Sequence, residues 1–217
     1  MAATVYPSKQ TATQLKGRTK DQEAAENTKP YHMAHTWRRA SFDPDAKATP
    51  VTFGNAMHAV MQYISFDQCT DAAKIQDELY RIESMGLMSA DMVASVDAQM
   101  IYRFFRTELG QRLIHASNVI REFKFSILDD ASVYDGDILD DQILLQGVVD
   151  CAIIDTDGIT VVDFKTDRVN DENVNAVAEG YRMQVTSYAR ALSRIYGLPI
   201  HSAVLYFFRT NTFVTIL

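Results

Sequence analysis

Cysteine is nearly absent: Cys69 and Cys151 are the only two in 217 residues, far apart and without CxxC spacing. That excludes a disulfide framework and leaves too few ligands for a structural zinc or for an iron–sulfur cluster held by cysteines. No apolar run approaches the roughly 20 residues that cross a bilayer, and the opening MAATVYPSKQ holds no apolar stretch of signal-peptide length. The expectation is a protein without membrane contact, in a reducing, cytoplasmic compartment. Also missing is a G-x-x-x-x-G-K-[ST] loop, so the chain carries no P-loop motor. Positive charge is in short supply, since 21 Lys and Arg against 28 Asp and Glu leave a formal charge of −7. Nonspecific affinity for nucleic acid comes mainly from cations that displace counterions from phosphates. Any nucleic acid handled here is therefore expected to be delivered by another component.

What is present is enough apolar surface, 47% of residues, for one ordinary core. Residues 1–31 are rich in Lys, Gln, Thr, Glu and Asn and read as a tether, with at most a short helix over Thr13 to Arg18; residues 32–217 read as the domain. After a polar loop around Asp43 to Pro50, Phe53, Met57, Met61 and Ile64 recur at helical spacing, with His58 beside the stripe. Thr70 can cap a helix to about Met85, closed by Gly86, and Ser89 a longer one through Phe105. From Val119 the period becomes two. Phe123, Phe125 and Ile127 take one face of a strand, and Glu122 and Lys124 the other. The acidic loop Asp129 to Asp141 lacks calcium-loop spacing and reads as a solvated tip. ILLQGVVDCAII and ITVVDFKT then form a hairpin. A helix with Val174, Val177, Tyr181, Val185, Tyr188, Leu192 and Ile195 as its stripe follows, closed by Gly197 and Pro199. A strand over Ala203 to Phe208 and a short hairpin end the chain.

The chemistry lies in the hairpin. Asp163 and Lys165 are two apart on one strand, so both leave the same face. An Asp157-Gly158 turn sets Asp150 opposite Lys165, whereas a Thr156-Asp157 turn sets Asp150 opposite Asp163, and in both registers the three charges share a face. Two carboxylates flanked by Val148, Val149, Val161 and Val162 repel each other and lose solvation unless a cation lies between them. Oxygen ligands suit Mg²⁺ or Mn²⁺, and an ammonium at Lys165 suits a developing phosphate charge. The plain alternative is a salt bridge on a wet sheet face. The near-continuous apolar runs around these residues argue instead for strands covered on both sides.

The strings GVVD, VVDFKTDRV and YRMQVTSYARAL, preceded in order by SKQTATQLKGR, FGNAMHAVMQYI and VIREFKFSI, resemble the PD-(D/E)xK nuclease module of the RecB and AddA subunits of bacterial helicase–nucleases, AddA more closely. The resemblance spans most of residues 7–217. It implies an α/β, restriction-endonuclease-like core, a mixed central sheet flanked by helices, with an N-terminal helical part acting as a cap. It also implies His58, Asp150 and Asp163 as ligands of Mg²⁺ or Mn²⁺, with Lys165 as the catalytic lysine. Glu122 matches an upstream acid that supports the metal directly or through water, and Gln184 and Tyr188 match a supporting Q-x-x-x-Y helix. The implied substrate is single-stranded DNA in break repair. The implied partners are the helicase region of a longer subunit, joined through residues 1–31, and an AddB-type subunit. A different class of function on the same fold would be a catalytically silent module that grips a DNA end or a partner.

Overall fold

The computed structural model describes residues 9–11, 50–134 and 141–217. The tether, its short helix and the tip of the acidic loop lie largely outside those residues. Among the described residues, six strands form one mixed sheet: β1 (Lys9–Thr11), β2 (Val119–Asp130), β3 (Gln142–Ile154), β4 (Ile159–Lys165), β5 (Ile200–Phe207) and β6 (Thr212–Thr215). The order is β1-β3-β4-β5-β6, with β2 along the other edge of β3. The β2–β3, β3–β4 and β5–β6 pairs are antiparallel, while β1–β3 and β4–β5 are parallel. The crossover from β4 to β5 carries two helices, as a parallel connection requires.

Among the described residues, seven α-helices accompany the sheet: α1 (Pro50–Tyr63), α2 (Ala72–Ser84), α3 (Ala90–Ala94), α4 (Ala98–Phe105), α5 (Glu108–His115), α6 (Val174–Glu179) and α7 (Arg182–Tyr196). Helices α1 to α5 cover one face. Met57, Val60, Met61 and Ile64 of α1 and Phe104 and Phe105 of α4 pack there with Cys151, Ile153, Val162, Phe164, Tyr206 and Phe208. Helix α7 covers the other face, where Val185, Tyr188, Ala189 and Leu192 meet Leu145, Val149, Val161, Ala203 and Leu205. Every residue of β4 is buried, as its unbroken apolar run requires when both faces are covered. No helix among the described residues is long and apolar enough to cross a membrane.

Three helix boundaries differ from the sequence reading. Asp71 rather than Thr70 caps α2, its carboxylate accepting from the Lys74 N–H at 2.9 Å. The helix expected from Ser89 to Phe105 is two, because Ser89 caps α3, the Ser95 hydroxyl donates back to the Met92 carbonyl at 2.7 Å, and Asp97 caps α4. Local side-chain bonds here outcompete helix continuation. The stripe from Val174 to Ile195 is likewise broken at Gly180 and Tyr181, and Ile195 is 44% exposed rather than core. Helix α7 does end at Gly197, in the left-handed conformation at φ 67°.

Candidate active site

Strand β4 is fixed in rotation by its aromatic neighbour. Phe164 packs edge-on against Phe104 at 5.5 Å and tilted against Phe208 at 5.5 Å, on the side of α1 to α5. Strand alternation then sends Asp163 and Lys165 to the opposite side. Cys151 pairs with Val162 and Ile154 with Ile159, and the Asp155 N–H reaches the Gly158 carbonyl at 2.9 Å. Of the two registers the sequence allows, this is the one with the Thr156-Asp157 turn, and it brings Asp150 level with Asp163.

Ladder pairing between β3 and β4 stops at Cys151 and Val162, and the same edge of β3 next pairs with β1 at Leu144 to Gln146. Asp150 stands where the two strands part, and its Oδ2 accepts the Phe164 N–H at 2.8 Å. Across the other edge, Glu122 falls opposite Asp150 with a left-handed backbone, φ 49°. A residue in that conformation breaks strand alternation. Both strands change sides here: Arg121 and Cys151 face α1, whereas Phe123, Phe125 and Val149 face α7. Glu122 therefore sits at a switch point, not on a regular polar face shared with Lys124.

Helix α1 brings His58 to this place through two contacts. At its C-terminal end, the Arg121 guanidinium donates to the carbonyls of Ile64 at 2.6 Å and Met61 at 3.3 Å, groups that a helix end otherwise leaves unsatisfied. Near its start, Gly54 approaches the end of β4 so closely that an added Cβ would lie 3.2 Å from the Thr166 hydroxyl. That is the physical reason for a glycine one turn before His58. A second close approach is at Gly147, where a Cβ would meet the Phe125 ring at 2.7 Å and the Tyr188 ring at 3.0 Å.

One cavity of about 650 Å³ is lined by His58, Glu122, Asp150, Asp163, Lys165, Gln184 and Tyr188, the whole set singled out from the sequence. His58 Nδ1 lies 3.3 Å from Asp150 Oδ2. Donor atoms of His58, Glu122 and Asp150 all lie within 4.8 Å of one another, close enough to share one cation. Asp163 is 1% exposed. Its Oδ2 is ion-paired with Lys165 Nζ at 2.5 Å, while Oδ1 has no hydrogen-bond partner. Lys165 also lies over the Tyr181 ring, 4.2 Å from its centroid. The Gln184 amide donates to the Tyr188 hydroxyl at 2.7 Å, as two residues one helical turn apart can.

The electrostatics describe a site short of positive charge. Burial pushes the Asp163 carboxyl above the usual range; Lys165 pulls it back and the charge of Asp150 adds to the rise. Burial, then Asp150, raises Glu122 as well. At His58 burial opposes the proton, yet the hydrogen bond and charge of Asp150 outweigh it and raise the imidazole above its ordinary value. Acids pushed toward their neutral forms beside a histidine whose hold on a proton is strengthened are what a divalent cation would reverse. A buried carboxylate with its Oδ1 unbonded and a His, Glu, Asp donor set thus fit a hard or borderline divalent ion.

The sequence reading missed Tyr181 as a site residue, having placed it only on an apolar stripe. The available signal was its position three residues before Gln184, which puts Tyr181, Gln184 and Tyr188 on one helical face. Lys124, Phe125, Gln146 and Gly147 also line the cavity and were not singled out.

A split sheet edge carrying acids, with a lysine two residues beyond the second, defines a class. The chain belongs to the PD-(D/E)XK nuclease superfamily, which it matches over residues 27–214. Within it, the chain is similar to the A-type subunits of ATP-dependent helicase/nucleases. These include those of Bacillus cytotoxicus, 29% identical over 99% of this chain and 18% of that protein, and Clostridium acetobutylicum, 30% identical with the same coverage. That of Desulforamulus reducens is 32% identical over 98% of this chain and 17% of its own length. The chain thus spans less than a fifth of the length of these curated relatives.

Proposed function

We propose that this domain hydrolyses DNA phosphodiester bonds, single strands by preference, leaving a 5′-phosphate and a 3′-hydroxyl, with Mg²⁺ or Mn²⁺ as cofactor. The observation that carries the reading is the meeting of His58, Glu122, Asp150, Asp163 and Lys165 on one cavity at the opening between β3 and β4. His58, Glu122 and Asp150 would hold the ion, with Asp163 facing the same space. When bound, the ion supplies a more acidic water and neutralises phosphate charge. Lys165 meets the extra negative charge that gathers on the phosphate oxygens as the nucleophile attacks in line. Asp150 also fixes the cavity wall, since its bond to the Phe164 N–H ties β3 to β4 just beyond the end of their ladder. The relatives are named as A subunits of ATP-dependent helicase/nucleases, which supports a helicase region on the same polypeptide and a further subunit; in this reading the helicase region feeds the strand, the partner is of AddB type and the setting is break repair in the cytoplasm.

The deciding experiment compares the protein with Asp163→Ala and Lys165→Ala on single-stranded DNA in Mg²⁺ or Mn²⁺ at modest salt. Cutting by the parent alone is expected. Undiminished cutting by both variants would exclude the mechanism. A slow parent rate is compatible with it, because a formal charge of −7 disfavours substrate capture without a delivering motor.

A further inference from the structure

Lysine is a flexible group to entrust with a charge that must meet a phosphate, since its side chain carries about 2 kcal/mol of rotamer entropy. Lys165 is the last residue of β4, so strand pairing restrains its backbone on one side only. Three contacts compensate. Its Nζ touches Asp163 Oδ2 at 2.5 Å and lies 4.2 Å from the centroid of the Tyr181 ring. The Tyr181 hydroxyl donates to both carboxylate oxygens of Asp167, at 3.0 and 3.1 Å, two residues beyond Lys165. The circuit closes on itself: Lys165 leads through Thr166 to Asp167, Asp167 orients the tyrosine, and the tyrosine face meets the ammonium. Tyr181 is buried and falls at the break between α6 and α7, so its place is set by tertiary contacts and not by a continuous helix.

We propose that Tyr181, braced by Asp167, is a positioning residue that holds the Lys165 ammonium for the proposed phosphodiester hydrolysis. The inference rests on the nuclease reading. Asp163 alone cannot do this work during reaction, because an ammonium drawn toward a phosphate leaves its carboxylate partner. A ring face keeps attracting the cation over a range of small displacements. Tyr181 is not among the residues that line the cavity of His58, Glu122 and Asp150, so it acts through Lys165.

The test uses the whole chain and the variants Tyr181→Phe, Tyr181→Leu and Tyr181→Met, the last a ring-free residue of adaptable shape. Loss of the ring should lower kcat on single-stranded DNA about 10-fold, with KM held within about 2-fold, and Tyr181→Phe should stay within about 3-fold of the parent. An NMR arm reads the geometry directly. The ε-methylene protons of Lys165, assigned by their loss in Lys165→Met, should be shifted upfield by the ring in the parent and in Tyr181→Phe, and return to the ordinary lysine position without the ring. Unshifted Lys165 protons in the parent, an effect carried by KM alone, or equal damage from Phe and Leu would overturn the proposal. If the parent does not cut at all, the nuclease reading fails, while the NMR arm still decides whether Tyr181 holds Lys165.

Discussion

Replacing Lys165 by methionine should cost the metal-free protein about 3–5 kcal/mol of stability, because it leaves the buried Asp163 carboxylate without a partner. Asp163 is 1% exposed, its Oδ1 has no hydrogen-bond partner, and Lys165 Nζ lies 2.5 Å from its Oδ2. At that separation, with an effective dielectric constant of about 20, the attraction is of order 7 kcal/mol. Relief from desolvating the ammonium offsets part of this, and the lost contact with the Tyr181 ring adds about 1 kcal/mol. In a chain of 217 residues, each kcal/mol moves the unfolding midpoint by about 2–4 °C, so a fall of about 10 °C is expected. The measurement is thermal and urea unfolding in chelator for the parent, Lys165→Met, Asp163→Asn and the double variant. The double variant should return to within about 1 kcal/mol of the parent, since neither buried charge remains. The pH dependence has a definite sign. Burial raises the native-state pKa of Asp163, so the folded protein binds more protons than the unfolded chain between the ordinary carboxylate value and the raised one. Stability therefore falls as pH rises through that window, and more steeply in Lys165→Met, which loses the opposing pull of the ammonium. A Lys165→Met protein within about 1 kcal/mol of the parent at pH 7.5, or a strictly additive double variant, would refute the reasoning.

Two further outcomes are expected. Glu78 is held down to about 2 by Arg81, whose guanidinium donates to its oxygens at 2.7 and 2.8 Å, with help from the Ser65 N–H at 2.8 Å. Glu78→Gln should therefore cost about 2 kcal/mol at pH 7, less than the full shift implies because Arg81 is partly exposed, with the deficit disappearing as pH falls from about 4.3 toward 2 in acid unfolding curves. Calorimetric titration with Mn²⁺ should release protons, since His58 holds one above the ordinary histidine value and must give it up to act as a ligand. Affinity should weaken as pH drops through that raised value, and His58→Ala should remove the dependence; Mn²⁺ heats that do not change between pH 6 and 8 in the parent would count against His58 as a donor.

Much of the architecture was legible because local periodicity and burial agree. Phe123, Phe125 and Ile127 alternate in the sequence and pack together under α7, and the unbroken apolar run of β4 is a strand buried on both faces. The helix breaks were not legible, because the apolar stripe continues across Ser95 to Asp97, where side-chain bonds end the helices locally, and across Gly180, where the break carries no side-chain cap. The conformation of Glu122 was hidden for a related reason. Nothing in REFKF announces a left-handed residue in mid-strand, and the switch of faces arises from how β2 and β3 meet α1 on one side and α7 on the other.

By itself the sequence singled out the groups that the fold gathers on one cavity: Asp150, Asp163 and Lys165 at hairpin spacing, His58 on a helix, Glu122 on an earlier strand, and Gln184 and Tyr188 one turn apart. It offered two registers for the hairpin, with the Asp157-Gly158 or the Thr156-Asp157 turn, both of which keep the three charges on one face. The folded ladder, Cys151 with Val162 and Ile154 with Ile159, is the register with the Thr156-Asp157 turn, while Phe164 among Phe104 and Phe208 decides which face of β4 meets α1 to α5. Tertiary packing also parted β3 from β4 beside Asp150, carried His58 to 3.3 Å from it, and laid Tyr181 under Lys165. Those are contacts between residues distant in the chain, and their geometry follows from how helices and sheet fill space together, which no local pattern encodes.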